Sequence, residues 1–174
     1  DLEKCIIDEV FIDGELVAKG GKALFERKEY SYPEEYRHSI NLDKIDESAL
    51  KIKADGKVKV HVIEVISAKT STVDKIVEMT AENGELKADP ARDIMKACVF
   101  ERHHRTGNVG KGFISGFGIK DGALAQTVAH DAHNLLVVGT NDKDMALAVN
   151  TLIECGGGLV AVKNGKIIGL VELP

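Results

Sequence analysis

One segment, residues 141–158, limits the fold of this chain more than any other. Asn141 is a typical helix N-cap residue, and two aspartates follow it in the first turn, where the helix dipole favours negative charge. Apolar side chains then recur at helical spacing over residues 145–153, and three consecutive glycines end the pattern. The sequence therefore predicts one clear helix at about residues 142–155.

Most of the remaining apolar segments are short and predict β-strands. Asp13-Gly14 and Asn164-Gly165 supply the positive φ angles of tight hairpin turns. Residues 93–101 fit a strand and a helix almost equally well, and we favour the strand. The predicted strands lie within residues 7–24, 58–66, 75–80, 86–88, 93–101, 124–129, 135–138, 159–162 and 167–171. The fold class is therefore α+β, predominantly β, with a mixed sheet and one helix.

A polar, irregular segment at residues 31–55 separates two regions of the chain. It carries one predicted helical turn near residues 46–50. We interpret it as a connection between a terminal hairpin at residues 1–30 and a larger domain at residues 56–174.

The composition argues against several classes of partner. A formal net charge of −5 and an aromatic content of 5% argue against nucleic acid, which is bound by clustered Lys and Arg and by stacking rings. No apolar stretch approaches the length of a membrane span, and the first residues lack a signal-peptide pattern, so we expect no membrane contact. The three cysteines are widely separated, which predicts a reducing, cytoplasmic location.

The motif TVAHDAHN, residues 127–134, places His130, Asp131 and His133 between two predicted strands. We call this segment the histidine turn. Imidazole and carboxylate suit zinc, manganese or iron, and a histidine beside an acid also suits proton transfer. The alternative is a structural turn in which Asp131 and Asn134 bond to nearby backbone and the histidines only pack. The residues alone leave these interpretations open.

A second polar group, ERHHR at residues 101–105, directly precedes a glycine-rich segment at residues 107–122. Its donors suit an anion or a planar base, and the alternative is a solvated strand end with internal Glu–Arg pairing. The glycines predict unusual backbone conformations or close approach of another segment. Their spacing matches neither the dinucleotide fingerprint nor the Walker loop.

Residues 101–162 together resemble the C-terminal domain of the prokaryotic adenine deaminases, a branch of the amidohydrolase superfamily. The shared elements are ERH with TGN and GKGF, the histidine turn, GTND with DMALAVN, and the triple glycine. VFIDGELVAKGG, residues 10–21, resembles the last hairpin of the small β-sandwich that accompanies the metal-binding barrel in that superfamily. Ala132 departs from the family pattern, in which we expect serine.

The resemblance implies part of an enzyme that converts adenine and water to hypoxanthine and ammonia. A divalent metal, manganese or iron, would activate the water and would be held mainly by the barrel of the same parent chain, which these residues lack. The isolated chain would then be inactive, although its parent would be a homo-oligomeric hydrolase of purine metabolism.

The resemblance also implies roles for both polar groups. His130, Asp131 and His133 become candidate catalytic residues, and Glu101, Arg102 and His103 become candidate substrate-binding residues, together covering the mouth of the barrel. Two other functions remain open. One is a non-catalytic assembly module, and the other is an independent metal hydrolase that uses the histidine turn itself.

Overall fold

The chain divides into two units, Asp1–Pro33 and Glu34–Pro174, in a computed structural model that describes residues 3–26 and 28–173. The described residues form thirteen strands and one α-helix. In chain order these are β1 (Glu9–Ile12), β2 (Glu15–Lys19), β3 (Lys22–Ala23), β4 (Ile52–Lys53), β5 (Lys57–Val65), β6 (Thr72–Thr80), β7 (Glu85–Leu86), β8 (Met95–Phe100), β9 (Val109–Ser115), β10 (Ala123–Gln126), β11 (Leu135–Gly139), α1 (Asp142–Cys155), β12 (Gly158–Lys163) and β13 (Lys166–Glu172).

The first unit is a three-stranded antiparallel sheet in the order β1-β2-β3. Asp13 and Gly14 join β1 to β2 with φ angles of 50° and 83°, so the predicted hairpin is confirmed. Its assignment to the end of a β-sandwich stays a prediction.

The second unit contains an eight-stranded sheet in the order β13-β12-β10-β11-β8-β9-β5-β6. All neighbouring strands are antiparallel except β5 and β9, which are parallel. β4 and β7 form a separate two-stranded sheet. The predicted fold class, α+β with a mixed sheet and one helix, is confirmed.

The predicted helix is α1, and its ends are those that the sequence indicates. The side chain of Asn141 accepts a hydrogen bond from the Asp144 backbone N–H at 2.8 Å, and Gly156 ends the helix with a φ of 85°. No helix in the described ranges is long and apolar enough to cross a membrane.

α1 packs against β10, β11 and β12 and covers one face of the sheet. The main hydrophobic core lies between them, because alternate strand residues point toward the helix. Its fully buried side chains include Phe100, Leu135, Val137, Met145, Val149 and Leu152. A second cluster fills the region near β5, β6 and β9, with Val62, Met79, Leu86, Ile94 and Phe113.

Residues 34–55, most of the predicted connection, pack as part of the second unit. The predicted helical turn near residues 46–50 is a 3-10 turn, Glu47–Leu50, capped by Asp46, and it buries Leu50 in the core. The Asn150 side chain of α1 also bonds both the N–H and the C=O of Ile45 at 2.9 Å. These contacts join residues far apart in sequence.

Several strand predictions differ from the structure in their bounds, and β4, in the segment predicted to be irregular, was not predicted. The segment at residues 93–101 does contain a strand, β8, but the strand predicted at residues 75–80 begins earlier, at Thr72, and the one predicted at residues 86–88 is Glu85–Leu86. The strand predicted at residues 124–129 ends at Gln126, because the chain turns away after Thr127. β9 was not predicted, because glycines weaken strand propensity and Gly110 and Gly112 interrupt its apolar pattern.

The glycine-rich segment does contain the predicted unusual conformations. Gly116, for example, has a φ of 97°, and a Cβ atom there would lie 2.3 Å from the Val65 carbonyl oxygen. Close approach of β5 therefore excludes a side chain at this position.

Candidate functional site

Both groups of candidate residues lie at the same end of the eight-stranded sheet. β8 ends at Phe100, which pairs with Leu135 at the start of β11. Residues 101–103 follow β8 and the histidine turn precedes β11, so antiparallel pairing brings the two segments side by side.

Glu101 organises the loop that follows β8. Its carboxylate accepts hydrogen bonds from the backbone N–H groups of His103 at 2.7 Å, His104 at 3.0 Å and Thr106 at 3.3 Å, and from the Thr106 hydroxyl at 3.0 Å. Desolvation raises the pKa of Glu101, but these hydrogen bonds outweigh it and lower the pKa to about 2. The side chain is therefore a charged anchor for its own loop.

Arg102 and His103 hold the backbone of the histidine turn. The Arg102 Nε–H donates to the His133 carbonyl oxygen at 2.5 Å, and the His103 Nε2–H donates to the Ala132 carbonyl oxygen at 2.9 Å. Burial lowers the pKa of Arg102 from its usual value. The two side chains brace two successive carbonyls of the turn.

Two further residues complete this brace, and the sequence analysis missed them. The Arg102 Nη1–H donates to the Ser39 hydroxyl at 2.8 Å, and the Asn41 side chain donates to the His103 carbonyl oxygen at 2.7 Å. Both residues lie in the predicted connection, more than sixty positions earlier. No local sequence signal could have found contacts at that separation.

The histidine turn is a tight backbone structure. The His133 N–H donates to the Ala129 carbonyl oxygen at 2.8 Å, and Asp131 and His133 have φ angles of 72° and 48°. Aspartate and histidine tolerate this left-handed region better than most residues. The Asn134 side chain accepts a 3.4 Å hydrogen bond from the Arg102 N–H, as the structural interpretation predicts, but His130 and His133 are exposed rather than packed.

The side chains of the turn project away from this brace. His130 Nδ1 and Asp131 Oδ1 are 3.0 Å apart, yet the two side chains are 96% and 93% exposed, and His133 is also exposed. Within the described residues, no group of three His, Cys, Asp or Glu side chains could hold a metal ion. An exposed imidazole oriented by a carboxylate can bind an external group or carry a proton.

The charged residues near Glu101 do not form the internal Glu–Arg pair that a solvated strand end would contain. Arg105 pairs with Asp43 rather than with Glu101, and this contact lowers the pKa of Asp43 and raises that of Arg105. His104 Nδ1 lies 3.4 Å from Glu101 Oε1 and its side chain is 82% exposed.

Comparison with known proteins assigns this chain to a family. Residues 69–174 match the model of the adenine deaminase C-terminal domain. The chain belongs to that family. The matched residues contain both groups of candidate site residues, the strands β8 to β13 and the helix α1.

Relatives of this adenine deaminase C-terminal domain are themselves named adenine deaminases. The chain is 54% identical to that of Clostridium botulinum (strain 657 / Type Ba4), 44% identical to that of Moorella thermoacetica and 43% identical to that of Staphylothermus marinus. These alignments cover 100%, 100% and 95% of this chain, but only 30%, 30% and 28% of the relatives. The chain thus spans less than a third of the proteins it matches.

Proposed function

We propose that this chain is the C-terminal portion of an adenine deaminase that hydrolyses adenine to hypoxanthine and ammonia. In this proposal the histidine turn forms part of the active-site wall, and the rest of the parent chain supplies the catalytic barrel. The family match and the names of the relatives support the activity. We further propose that the parent is a cytoplasmic homo-oligomer.

The braced turn with exposed side chains is the observation that carries this proposal. Arg102 and His103 stabilise the turn through its backbone, so the His130 and Asp131 side chains contribute nothing visible to packing. A rigid backbone that presents unused titratable groups is typical of a binding or catalytic loop. We therefore assign His130, Asp131 and His133 to the surface that contacts substrate or excludes water.

The same contacts suggest how Glu101, Arg102 and His103 take part. Their use in substrate binding stays a prediction, since each has polar atoms engaged within the chain. The hydrogen bonds support a positioning role for all three, because they fix the place of the turn relative to β8.

The metal, manganese or iron, belongs to the barrel of the parent chain in this proposal. The described residues of this chain offer no set of ligands for it. That finding gives no support to an independent metal hydrolase. We expect the isolated chain to be inactive because the barrel belongs to the rest of the parent chain.

The test is substitution in the intact parent enzyme. His130→Ala, Asp131→Asn and His133→Ala should each lower kcat/KM by about 100-fold, the lower end of the contribution of a positioned proton-transfer group. Thermal unfolding should not change in His130→Ala and Asp131→Asn, because exposed side chains are replaced, whereas His133→Ala should lose some stability because alanine is strained at a φ of 48°. A shift in the pH profile of kcat would separate proton transfer from water exclusion.

His61 and Asp74 provide the matched control. They form another exposed His–Asp pair, 2.9 Å apart, on β5 and β6. His61→Ala should leave turnover unchanged. Unaltered kinetics in all three turn variants would instead favour the structural interpretation of the turn, and a stable, inactive oligomer of the isolated chain would favour the non-catalytic assembly module.

A further inference from the structure

The face of the eight-stranded sheet opposite α1 is mainly apolar over β10 to β13, and much of it is exposed, although Val138 on β11 is buried. Two cross-strand rows form it. The first is Val138–Leu124–Ala161–Gly169, and the second is Leu136–Gln126–Leu159–Val171. We call this surface the open face. Leu124 is 44% exposed and Leu159 is 40% exposed.

The strand sequences indicate that this face is normally buried. β11 reads LLVVG and β12 reads GLVAVK, with almost no polar residue between apolar ones. An antiparallel sheet with one wet face alternates apolar and polar residues, whereas continuous apolar runs are typical of strands that are covered on both faces. α1 explains the burial of only one face, so a second cover is required.

The open face is concave, which restricts what can cover it. Along its first row the side chains become smaller, from Val138 and Leu124 to Ala161 and Gly169. Phe117 also lines the resulting hollow. The resulting groove has a volume of about 500 Å³. A second copy that contacted it about a two-fold axis would present the same concave surface, and the two hollows would leave an unfilled cavity. A convex element such as a helix fits better.

The groove also leads directly to the histidine turn. Gln126 lies in its second row and is the last residue of β10, and Leu136 lies near the start of β11. The turn joins these two strands. An element seated in the groove would therefore lie beside His130 and His133.

We propose that the open face is the docking surface for the part of the parent enzyme that precedes this domain. The region that this chain matches makes up only 30% of the relatives, so most of the parent is available to supply the cover. This inference rests on the proposed function. Docking there would fix the sheet against the barrel and bring the braced turn to the active-site mouth.

Thiol labelling of the intact parent enzyme tests the inference. Leu124→Cys places a thiol in the groove, and Ile76→Cys places one on β6, at the opposite edge of the sheet, where Ile76 is 61% exposed. Maleimide modification is followed by mass spectrometry of the peptide that carries each new thiol. The same variants are measured in the 174-residue chain.

The thiol of Leu124→Cys should react at least about tenfold more slowly in the intact parent than in the 174-residue chain. This factor is expected if the covering element leaves the groove accessible for a tenth of the time or less. Ile76→Cys should react equally fast in both. Equal rates at Leu124→Cys would overturn the docking surface, and so would a rate in the isolated chain that falls as its concentration rises, which would indicate a second copy.

The labelling rates and the kinetics of the turn variants test the docking surface and the catalytic role of the turn separately. Slow labelling together with fully active turn variants would leave the docking surface standing and remove the catalytic role of the turn. Fast labelling together with inactive turn variants would do the reverse.

Discussion

A single carboxylate, that of Glu101, orders the loop after β8, and its low pKa predicts a specific response to acid. The pKa is about 2 in the folded chain, against 4.5 for an unperturbed glutamate, so the stabilisation is complete above about pH 4.5 and is lost as the pH falls toward 2. Glu101→Gln should lower the melting temperature at pH 7, and the two melting temperatures should converge as the pH approaches 2.

Glu154→Gln is the control for that comparison. Glu154 pairs with Lys44 on the surface, where it is 59% exposed, and such pairs contribute little. A constant difference between wild type and Glu101→Gln across the acid range would contradict the assigned role of the carboxylate.

Lys96 is a buried charge that depends on one partner. Its side chain is 3% exposed and its Nζ lies 2.6 Å from Asp142, at the first residue of α1. Asp142→Asn should destabilise the chain by about 3 kcal/mol, because the buried Lys96 ammonium is left without its carboxylate. Denaturant unfolding measures the loss.

A double-variant cycle tests the coupling between the two. Asp142→Asn should cost much less in the Lys96→Met background than in wild type. Lys75→Met removes an exposed lysine that pairs with Glu64, and it should change stability by less than about 1 kcal/mol. Additive effects of Lys96→Met and Asp142→Asn would show that the pair is not coupled.

At the scale of elements, Asp144 joins the start of α1 to the β12–β13 hairpin. Its carboxylate accepts hydrogen bonds from the backbone N–H groups of Asn164 at 3.0 Å and Gly165 at 2.7 Å. Asp144→Ala should destabilise the chain by about 3 kcal/mol, since two charge-assisted hydrogen bonds are lost at a buried site. Asn141→Ala removes the N-cap and the 3.1 Å hydrogen bond from the Asn141 amide to the Asp144 carboxylate but keeps the bonds of that carboxylate to the hairpin, and it should cost about 1 kcal/mol.

Hydrogen exchange locates the effect of Asp144→Ala. The Asn164 and Gly165 amides should exchange faster in this variant and should stay protected in Asn141→Ala. Equal protection in both variants would mean that the carboxylate does not hold the hairpin.

At the scale of the whole molecule, the isolated chain should lack both metal and activity. The described residues form no cluster of metal ligands, and the proposed barrel lies outside the chain. Purified chain should therefore contain far less than one divalent ion per molecule by elemental analysis and should release no ammonia from adenine. If the chain instead bound one metal ion and the His130→Ala variant bound none, the result would support an independent metal hydrolase.

Local sequence signals determined much of this fold. The helix N-cap at Asn141, the glycine that ends α1 and the Asp13-Gly14 turn each act within a few residues, so the sequence was sufficient to predict them. β9 shows the limit of this approach. Its glycines weaken the strand pattern, and only pairing with β8 and β5 stabilises it as a strand.

The candidate site, too, has features that the sequence predicts and features that only the structure shows. The sequence by itself identified the polar residues of the histidine turn and of residues 101–103, because unusual clusters of titratable groups are visible in a linear chain. Only the tertiary structure decided that Arg102, His103, Ser39 and Asn41 brace that turn and that one sheet face stays open. Such contacts depend on which distant segments pack together, and this is set by the burial of the whole core rather than by any local pattern.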